Sequence, residues 1–440
     1  MASPLRLGLA GLGTVGTGVL DALARHGDTI ALRAGRPLKV TAVTARSKGK
    51  DRGHDLSTLH WFDDPAALAA SPEIDVFVEL MGGEGDPAHA AVKAALAAKK
   101  PVVTANKALI ARHGVALAKQ AEAAGVPLAF EAAVAGAIPV VKALKESLAG
   151  NGVERVFGIL NGTCNYILTK MAVEGRSFAD VLKEAQALGY AEADPTFDVG
   201  GFDTAHKLAI LASLAFGTEI AADAIDIEGI EQITLDDIRN ADDLGYKIKL
   251  LGVAARGDDG IEQRVQPTLV RKGTPIADVD GVFNAVAVKG DLCGDLMLEG
   301  RGAGSHPTAS SVFSDLCDIA RGTHLPAFGV PAAKLKPFAK ATRKAHEGGF
   351  YVALSLYDRP GEVAAVAKIL ADEKISIESI VQRGPVHAVP GGGAERPRET
   401  APFILITHDT LQSSIARALD RIEREGHAAL KPRVIRIERL

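Results

Sequence analysis

The chain has 440 residues, 47% of them hydrophobic, with 50 Lys+Arg against 54 Asp+Glu and a formal net charge of −4. That length exceeds what one hydrophobic core serves and predicts about three domains. The near-balanced charge gives no electrostatic footprint for nucleic acid or an anionic membrane, and no apolar run is long enough to span a bilayer.

Leu5–Ala10 reads as a short buried strand, and the next residues, Gly11-Leu-Gly13-Thr14-Val15-Gly16, open an apolar-periodic helix from Val15 to about Arg25. Strand, Gly-x-Gly-x-x-Gly, helix is the context of a dinucleotide site: Gly11 for the tight turn, Gly13 for close approach of backbone to a pyrophosphate, Gly16 for helix–strand packing. The helix N-terminus then faces the anion with free N–H groups. A second strand, Leu38–Thr44, arrives at the right distance. An NAD-selective site expects a carboxylate at its end, for the ribose 2′-hydroxyl. This chain has Ala45-Arg46-Ser47-Lys48 there, with Lys50 and Arg52 behind, so a 2′-phosphate and NADP(H) are favoured over NAD(H), although loops are also basic for solubility alone.

Strands and helices keep alternating: strand Asp75–Leu80 ending in Met81-Gly82-Gly83, helix Pro87–Lys99, strand Pro101–Thr104 ending in Ala105-Asn106-Lys107, helix Ala108–Ala124, strand Val126–Glu131. The alternation predicts a doubly wound parallel sheet over residues 1–135, with Gly11–Gly16, Met81–Gly83 and Thr104–Lys107 on the rim at the strands' carboxyl ends. From 136 to 305 the pattern becomes α+β, with longer strands Val153–Leu160, Lys249–Ala255 and Gly281–Lys289. A glycine-rich segment, Glu299–Gly304, precedes a helix over Thr308–Ile319, expected to pack back on the first domain.

Residues 192–207 are the most informative stretch. Four carboxylates, Glu192, Asp194, Asp198 and Asp203, crowd a Pro/Gly-punctuated loop that enters a helix almost wholly apolar from Leu208 to Phe216. Asp203 and Lys207 are four apart and share a helix face. Burial lowers a lysine's pKa and a neighbouring carboxylate raises it, so the pair can be tuned as a proton donor. The alternative is a solvated i,i+4 ion pair worth about 0.3–0.5 kcal/mol.

Residues 331–348 are basic with little periodicity and read as a linker. The remainder, 349–440, is a complete βαββαβ unit: strand Tyr351–Tyr357, turn Asp358–Gly361, helix to Asp372, strand Ser376–Gln382, a Pro/Gly-rich loop at 384–401, strand Phe403–Thr407, helix Leu411–Arg424 and strand Arg433–Ile437. Cys164, Cys293 and Cys317 lack metal-ligand spacing and suit a reducing, cytoplasmic compartment. The first residues enter the strand directly, so no signal peptide is expected.

Gly8-Leu-Ala-Gly-Leu-Gly-Thr-Val-Gly16, Thr104-Ala-Asn-Lys107, Asn161-Gly-Thr-Cys-Asn-Tyr166, the 189–207 block ending Asp-x-x-x-Lys, Arg301-Gly-Ala-Gly304 and Pro307-Thr-Ala-Ser310 together resemble the homoserine dehydrogenase family, and the C-terminal unit is similar to an ACT domain. The resemblance implies a Rossmann-type cofactor domain, an α+β catalytic and dimerisation domain, a regulatory ACT domain, and NAD(P)H-dependent reduction of L-aspartate 4-semialdehyde to L-homoserine on the route to threonine, methionine and isoleucine. It implies Lys207 as proton donor, Asp203 holding it, Glu192 and Asp198 on the substrate, Lys107 near nicotinamide and substrate carboxylate, and Thr104 and Gly304 against the cofactor. It also implies a sodium ion at Glu131, Val134, Gly136 and Ile138, a segment whose pattern alone reads as a strand-to-loop turn. A homodimer or tetramer and a threonine effector are further implications. Another amino-acid dehydrogenase, such as aspartate dehydrogenase, and a non-catalytic sensor built from the same modules are the alternatives.

Overall fold

Six short parallel strands, β1 (Leu5–Ala10), β2 (Leu38–Thr44), β3 (His60–Trp61), β4 (Val76–Glu79), β5 (Val102–Thr104) and β6 (Leu128–Ala129), form one sheet in the order β3-β2-β1-β4-β5-β6. The structure, a computed structural model, describes residues 3–341, 347–382, 387–389 and 398–438. Helices α1 (Thr14–Ala34), α2 (Pro65–Ala70), α3 (Ala88–Ala97) and α4 (Lys107–Ala124) connect the strands. Covering helices explain why these strands are almost continuously apolar. The order reverses between β1 and β4, which puts the crevice of a doubly wound sheet beyond their carboxyl ends. Three details differ from the sequence reading. Helix α1 continues past Arg25 through a bend at His26 to Gly35, whose left-handed backbone ends it. The pair β3–α2 is additional: α2, Pro-Ala-Ala-Leu-Ala-Ala, starts where Asp64 accepts from Ala66 N and Ala67 N. Strand β6 is two residues long, because Glu131 opens a 3₁₀ turn over Glu131–Ala133 that leads to a short helix, α5 (Val140–Lys142).

The second sheet is built on β7 (Val153–Ile159), β9 (Tyr246–Gly257), β10 (Gly260–Arg271), β11 (Phe283–Gly290) and β12 (Gly294–Arg301), antiparallel in the order β12-β11-β7-β9-β10, with β8 (Asp226–Ile227) beside β10. Helices α6 (Gly162–Glu174), α7 (Phe178–Ala187), α8 (Thr196–Val199), α9 (Phe202–Phe216) and α10 (Leu235–Asp243) belong to this part. Within the glycine-rich segment Glu299–Gly304, residues Glu299–Arg301 are the end of β12, because each pairs with β11. Helix α11 (Ser305–Arg321) then returns to the first sheet, where Ala309, Val312, Phe313 and Leu316 share a core with Leu5, Leu7, Leu9 and Val19.

The C-terminal unit comprises β13 (Glu347–Tyr357), α12 (Glu362–Asp372), β14 (Ile377–Val381), β15 (His387–Val389), β16 (Arg398–Thr407), β17 (Thr410–Leu411), α13 (Gln412–Arg424) and β18 (Arg433–Glu438). Its strand order β18-β13-β16-β14 is that of a ferredoxin-like unit. The expected loop at 384–401 contains β15 and the start of β16, which pair; residues 383–386 and 390–397 lie outside the described residues. Nor does the unit hang from a free linker. Lys336 exchanges backbone hydrogen bonds with Gly217 and Glu219, and Ala339 and Ala341 bond Ile261, so the chain after α11 is docked by its own N–H and C=O groups. Strand β18 pairs in parallel with β10, joining the two sheets. Arg436 meets Glu262 at 3.0 Å, and Arg155 and Arg264 both pair with Glu438 across that seam. Among the described residues no helix is long and apolar enough to cross a membrane.

Candidate active site

The glycine loop lies in the crevice. Gly11 has φ +105, and a β-carbon there would sit 2.5 Å from the Leu80 carbonyl, so only glycine lets β1 turn so close to β4. At Gly16 a β-carbon would strike the Gly11 carbonyl at 2.1 Å, whereas Gly13 faces open space. No side chain caps α1 at Gly13, which leaves the N–H groups of Thr14, Val15 and Gly16 aimed out of the helix start. The uncapped start of α11 at Gly304–Ser305 is close by, because α1 touches Ser305 at Gly18. Arg46 is exposed just beyond β2. Arg52 ties that loop to the glycine loop, donating to Leu12 O at 3.2 Å and Ser47 O at 2.6 Å.

Opposite the loop stands a buried carboxylate between two lysines. Asp203, 4% exposed, enters at the start of α9 and accepts from Lys207 Nζ at 2.7 Å through Oδ2 and from Lys107 Nζ at 2.9 Å through Oδ1. Lys207, 8% exposed, also donates to Leu160 O at 2.7 Å. The solvated ion pair is thereby excluded. Burial opposes charge on Asp203, but the two ammonium groups outweigh it and hold its carboxyl far below the usual range. Burial lowers Lys207, against the pull of Asp203; for Lys107 the same carboxylate overcomes burial and raises it. One site thus holds two lysines with proton affinities pushed apart.

The carboxylate loop divides. Asp198 joins the centre, accepting from Asn161 Nδ2 at 2.8 Å, and burial together with repulsion from Asp203 raises its pKa. Glu192 is exposed at the mouth, close enough to raise Lys107. Asp194 turns outward and accepts from Thr196 N. Phe197 lies beneath Lys107, 5.9 Å from its Nζ.

Two expected site residues are placed differently from what the resemblance implies. Thr104 is fully buried: its hydroxyl donates to Glu79 Oε2 at 2.5 Å and accepts from Asn106 N at 3.0 Å, so it braces the rim from beneath instead of facing a ligand. Glu131 is 1% exposed and its carboxylate accepts from Val141 N at 2.9 Å and Lys142 N at 2.8 Å, capping α5. Only its carbonyl could join those of Val134, Gly136 and Ile138 around an ion. The carbonyl of Gly136 already accepts from Ser311 Oγ at 2.6 Å and that of Ile138 from Val140 N at 2.8 Å, each keeping a second lone pair. Ala135 and Gly136 both have positive φ, a tight turn that Gly136 makes against Gly302. The donors are all oxygen, which suits a hard cation. Burial and mutual repulsion push Glu131 up to about 7, and burial pushes Asp315 up to about 6.

Family models match most of the chain: homoserine dehydrogenase, NAD-binding domain over 11–131, and homoserine dehydrogenase over 139–317. The homoserine dehydrogenase of Pseudomonas aeruginosa is 46% identical over 446 residues, covering 99% of each chain. The chain belongs to the homoserine dehydrogenase family. A crystal structure of a homoserine dehydrogenase from Thiobacillus denitrificans superposes with a TM-score of 0.91 at 43% identity, covering 99% of this chain and 98% of that one. A hyperthermophilic archaeal homoserine dehydrogenase in complex with NADPH, 27% identical with a TM-score of 0.63, aligns over its whole length with 74% of this chain. The protein is therefore an oxidoreductase with a nicotinamide-cofactor domain, and neither an aspartate dehydrogenase nor a bare sensor.

Three residues that the sequence reading gave no role hold this homoserine dehydrogenase site together. Asn161 caps α6 through Cys164 N at 2.8 Å while donating to both Asp198 and Asp203. Glu79, wholly buried, accepts from Met81 N at 2.7 Å and Gly82 N at 3.2 Å, shaping the loop after β4. Asn106 caps α4 and reaches Gly83 O at 2.6 Å. An Asn between an apolar strand and a helix is a legible cap signal; that Asn161 also reaches two carboxylates 37 and 42 residues away is not.

Proposed function

We propose that the enzyme reduces L-aspartate 4-semialdehyde to L-homoserine using NADPH, with NADH as the weaker alternative. The observation that carries this is the Lys107–Asp203–Lys207 group, its carboxylate and Lys207 buried and Lys107 half-buried, at the rim of the dinucleotide sheet. The bound cofactor supplies the hydride to the aldehyde carbon. Lys207 gives a proton to the carbonyl oxygen as negative charge develops there. Asp203 keeps that ammonium charged and aimed in a place where burial alone would neutralise it. Lys107 faces the substrate carboxylate, and Glu192 with Asp198 receives the substrate ammonium. Gly13, Thr14, Val15 and Gly16 would bind the pyrophosphate by backbone N–H, Gly11 making the tight turn that aims them while its own N–H is held by Thr44 O at 2.9 Å; Gly304 would close on the same anion, and Arg46 would pair with a 2′-phosphate. Support for the last reading is the absence of a carboxylate at the end of β2.

The carbonyls of Glu131, Val134, Gly136 and Ile138 would hold a sodium ion, whose charge would offset the surplus of Glu131 and Asp315. The active form is a homodimer or tetramer built through the second sheet. The ferredoxin-like unit is an ACT domain that takes threonine near Asp358–Gly361 and feeds back on the reaction. A steady-state assay with aspartate semialdehyde and each cofactor tests the whole reading. Activity that requires the semialdehyde, and a Lys207→Ala enzyme slower by about 10²–10⁴-fold with unchanged cofactor affinity, are expected. A Lys207→Ala enzyme that keeps its kcat would remove the proton donor from the scheme.

A further inference from the structure

The loop after β2 carries Arg46, Lys48, Lys50 and Arg52, with Asp51 the one acid among them. Like charges so close push one another apart. Residues 45–50 have no backbone–backbone hydrogen bond to the rest of the domain among the described residues. What ties them down is Arg52. Its Nη2 donates to Ser47 O at 2.6 Å and its Nη1 to Lys50 O at 2.7 Å, while Nε donates to Leu12 O of the glycine loop at 3.2 Å. Its guanidinium carbon and Lys48 Nζ each lie 5.7 Å from the centre of the Trp61 ring. Trp61, the chain's one tryptophan, stands on edge strand β3 opposite Val43 of β2, half-buried against the core of the first sheet. Three carbonyls around one planar fork, over an aromatic floor, fix the guanidinium. Arg46, in contrast, is exposed and makes no hydrogen bond or ion pair among the described residues. The glycine loop has supports of its own: Gly11 N donates to Thr44 O and Thr17 N to Gly13 O, each at 2.9 Å.

We propose that Arg52 is a positioning residue for cofactor choice: committed to backbone carbonyls, it pins the 45–50 loop to the glycine loop and to Trp61, so that Arg46 stands ready for a 2′-phosphate. The inference rests on the NADPH reading given above. By charge alone Arg52 is one of four equivalent cations; by geometry it acts through the loop and leaves the phosphate to Arg46. NADH carries a hydroxyl in place of that phosphate and makes no use of the loop, so the clamp acts on one cofactor only. Holding the loop before the cofactor arrives removes the cost of ordering it on binding.

Full-length Arg52→Ala, Arg52→Lys, Arg46→Ala and Arg46→Ala/Arg52→Ala enzymes, assayed with saturating aspartate semialdehyde against each cofactor, test this. Arg52→Ala should raise KM for NADPH about tenfold, the worth of one charge-assisted hydrogen bond, while kcat and KM for NADH stay at wild type. Arg52→Lys should lose as much, because an ammonium on a flexible stem cannot hold three carbonyls in one plane. With Arg46 already replaced, removing Arg52 should add little, since the group it positions is gone. Fully additive losses, or an Arg52→Lys enzyme close to wild type, would overturn the proposal by making Arg52 a direct phosphate ligand. Equal losses for NADPH and NADH would also overturn it, by making Arg52 a prop of the glycine loop. The two readings fail separately. Arg46→Ala weakening both cofactors alike would remove the 2′-phosphate preference itself, whereas a loss confined to NADPH at Arg46 with none at Arg52 would remove the clamp alone.

Discussion

Replacing Asp203 by Asn removes the one charge that holds two ammonium groups together. At an effective dielectric of about 20, a carboxylate about 4 Å from an ammonium stabilises its charge by about 4 kcal/mol, which is about a thousandfold in the protonated fraction. Lys207 is already lowered by burial, and the substitution leaves Lys107, then countered by Asp198 and Glu192 without Asp203, as a neighbour that lowers it further. The donor of Asp203→Asn then gives up its proton at a lower pH than in the wild type and regains it as the pH falls. The expected profile is a kcat far below wild type at pH 8 that climbs towards it at pH 6, while wild-type kcat barely changes over that window. The assay is semialdehyde reduction at saturating NADPH between pH 6 and 8, with thermal unfolding to confirm that the variant folds. A loss equal at every pH would refute the argument, since it would make Asp203 a geometric support and not the source of charge.

Arg46→Asp should weaken NADPH binding strongly and NADH binding little, because it places an anion where a 2′-phosphate would lie; equal losses in fluorescence titrations would make Arg46 an ordinary surface residue. Glu131 and Asp315 bind protons more tightly folded than unfolded, so the stability they contribute is full below about pH 4, declines as the pH rises towards about 7, and is flat above. Sodium at the neighbouring carbonyls should counter that decline, seen as a higher unfolding temperature in sodium chloride than in choline chloride at pH 8; identical midpoints would argue against the ion. Truncation after Lys340 should leave catalysis intact and abolish the threonine response, with a lower unfolding temperature, because it strands the buried Arg264 without Glu438. An inactive truncated enzyme, or one still threonine-sensitive, would contradict this. Gly361→Asp in the full chain should abolish threonine inhibition while sparing basal activity; retained inhibition would move the effector elsewhere.

Local information was enough for the glycine loop and the strands that flank it. Strand β2 falls on Leu38–Thr44 as read, and the glycine loop between β1 and α1 turns where Gly11 and Gly16 demand it, because apolar runs and glycines act through neighbours a few residues away. The i,i+4 spacing of Asp203 and Lys207 was likewise legible as one helix face. Whether that pair was solvated or buried was not in the spacing. Burial came from β7, β9 and Asn161 closing over α9, and the second lysine on Asp203 came from a helix start 96 residues earlier. The same limit explains Thr104 and Glu131, whose partners Glu79, Val141 and Lys142 are met only after folding. It also explains the last unit. Its βαββαβ pattern is written in hydrophobic period and turns, but the parallel docking of β18 on β10 joins residues more than 160 apart through edge hydrogen bonds and buried ion pairs. Pairing across such a distance leaves no periodic trace in either strand, so only the tertiary structure decides it.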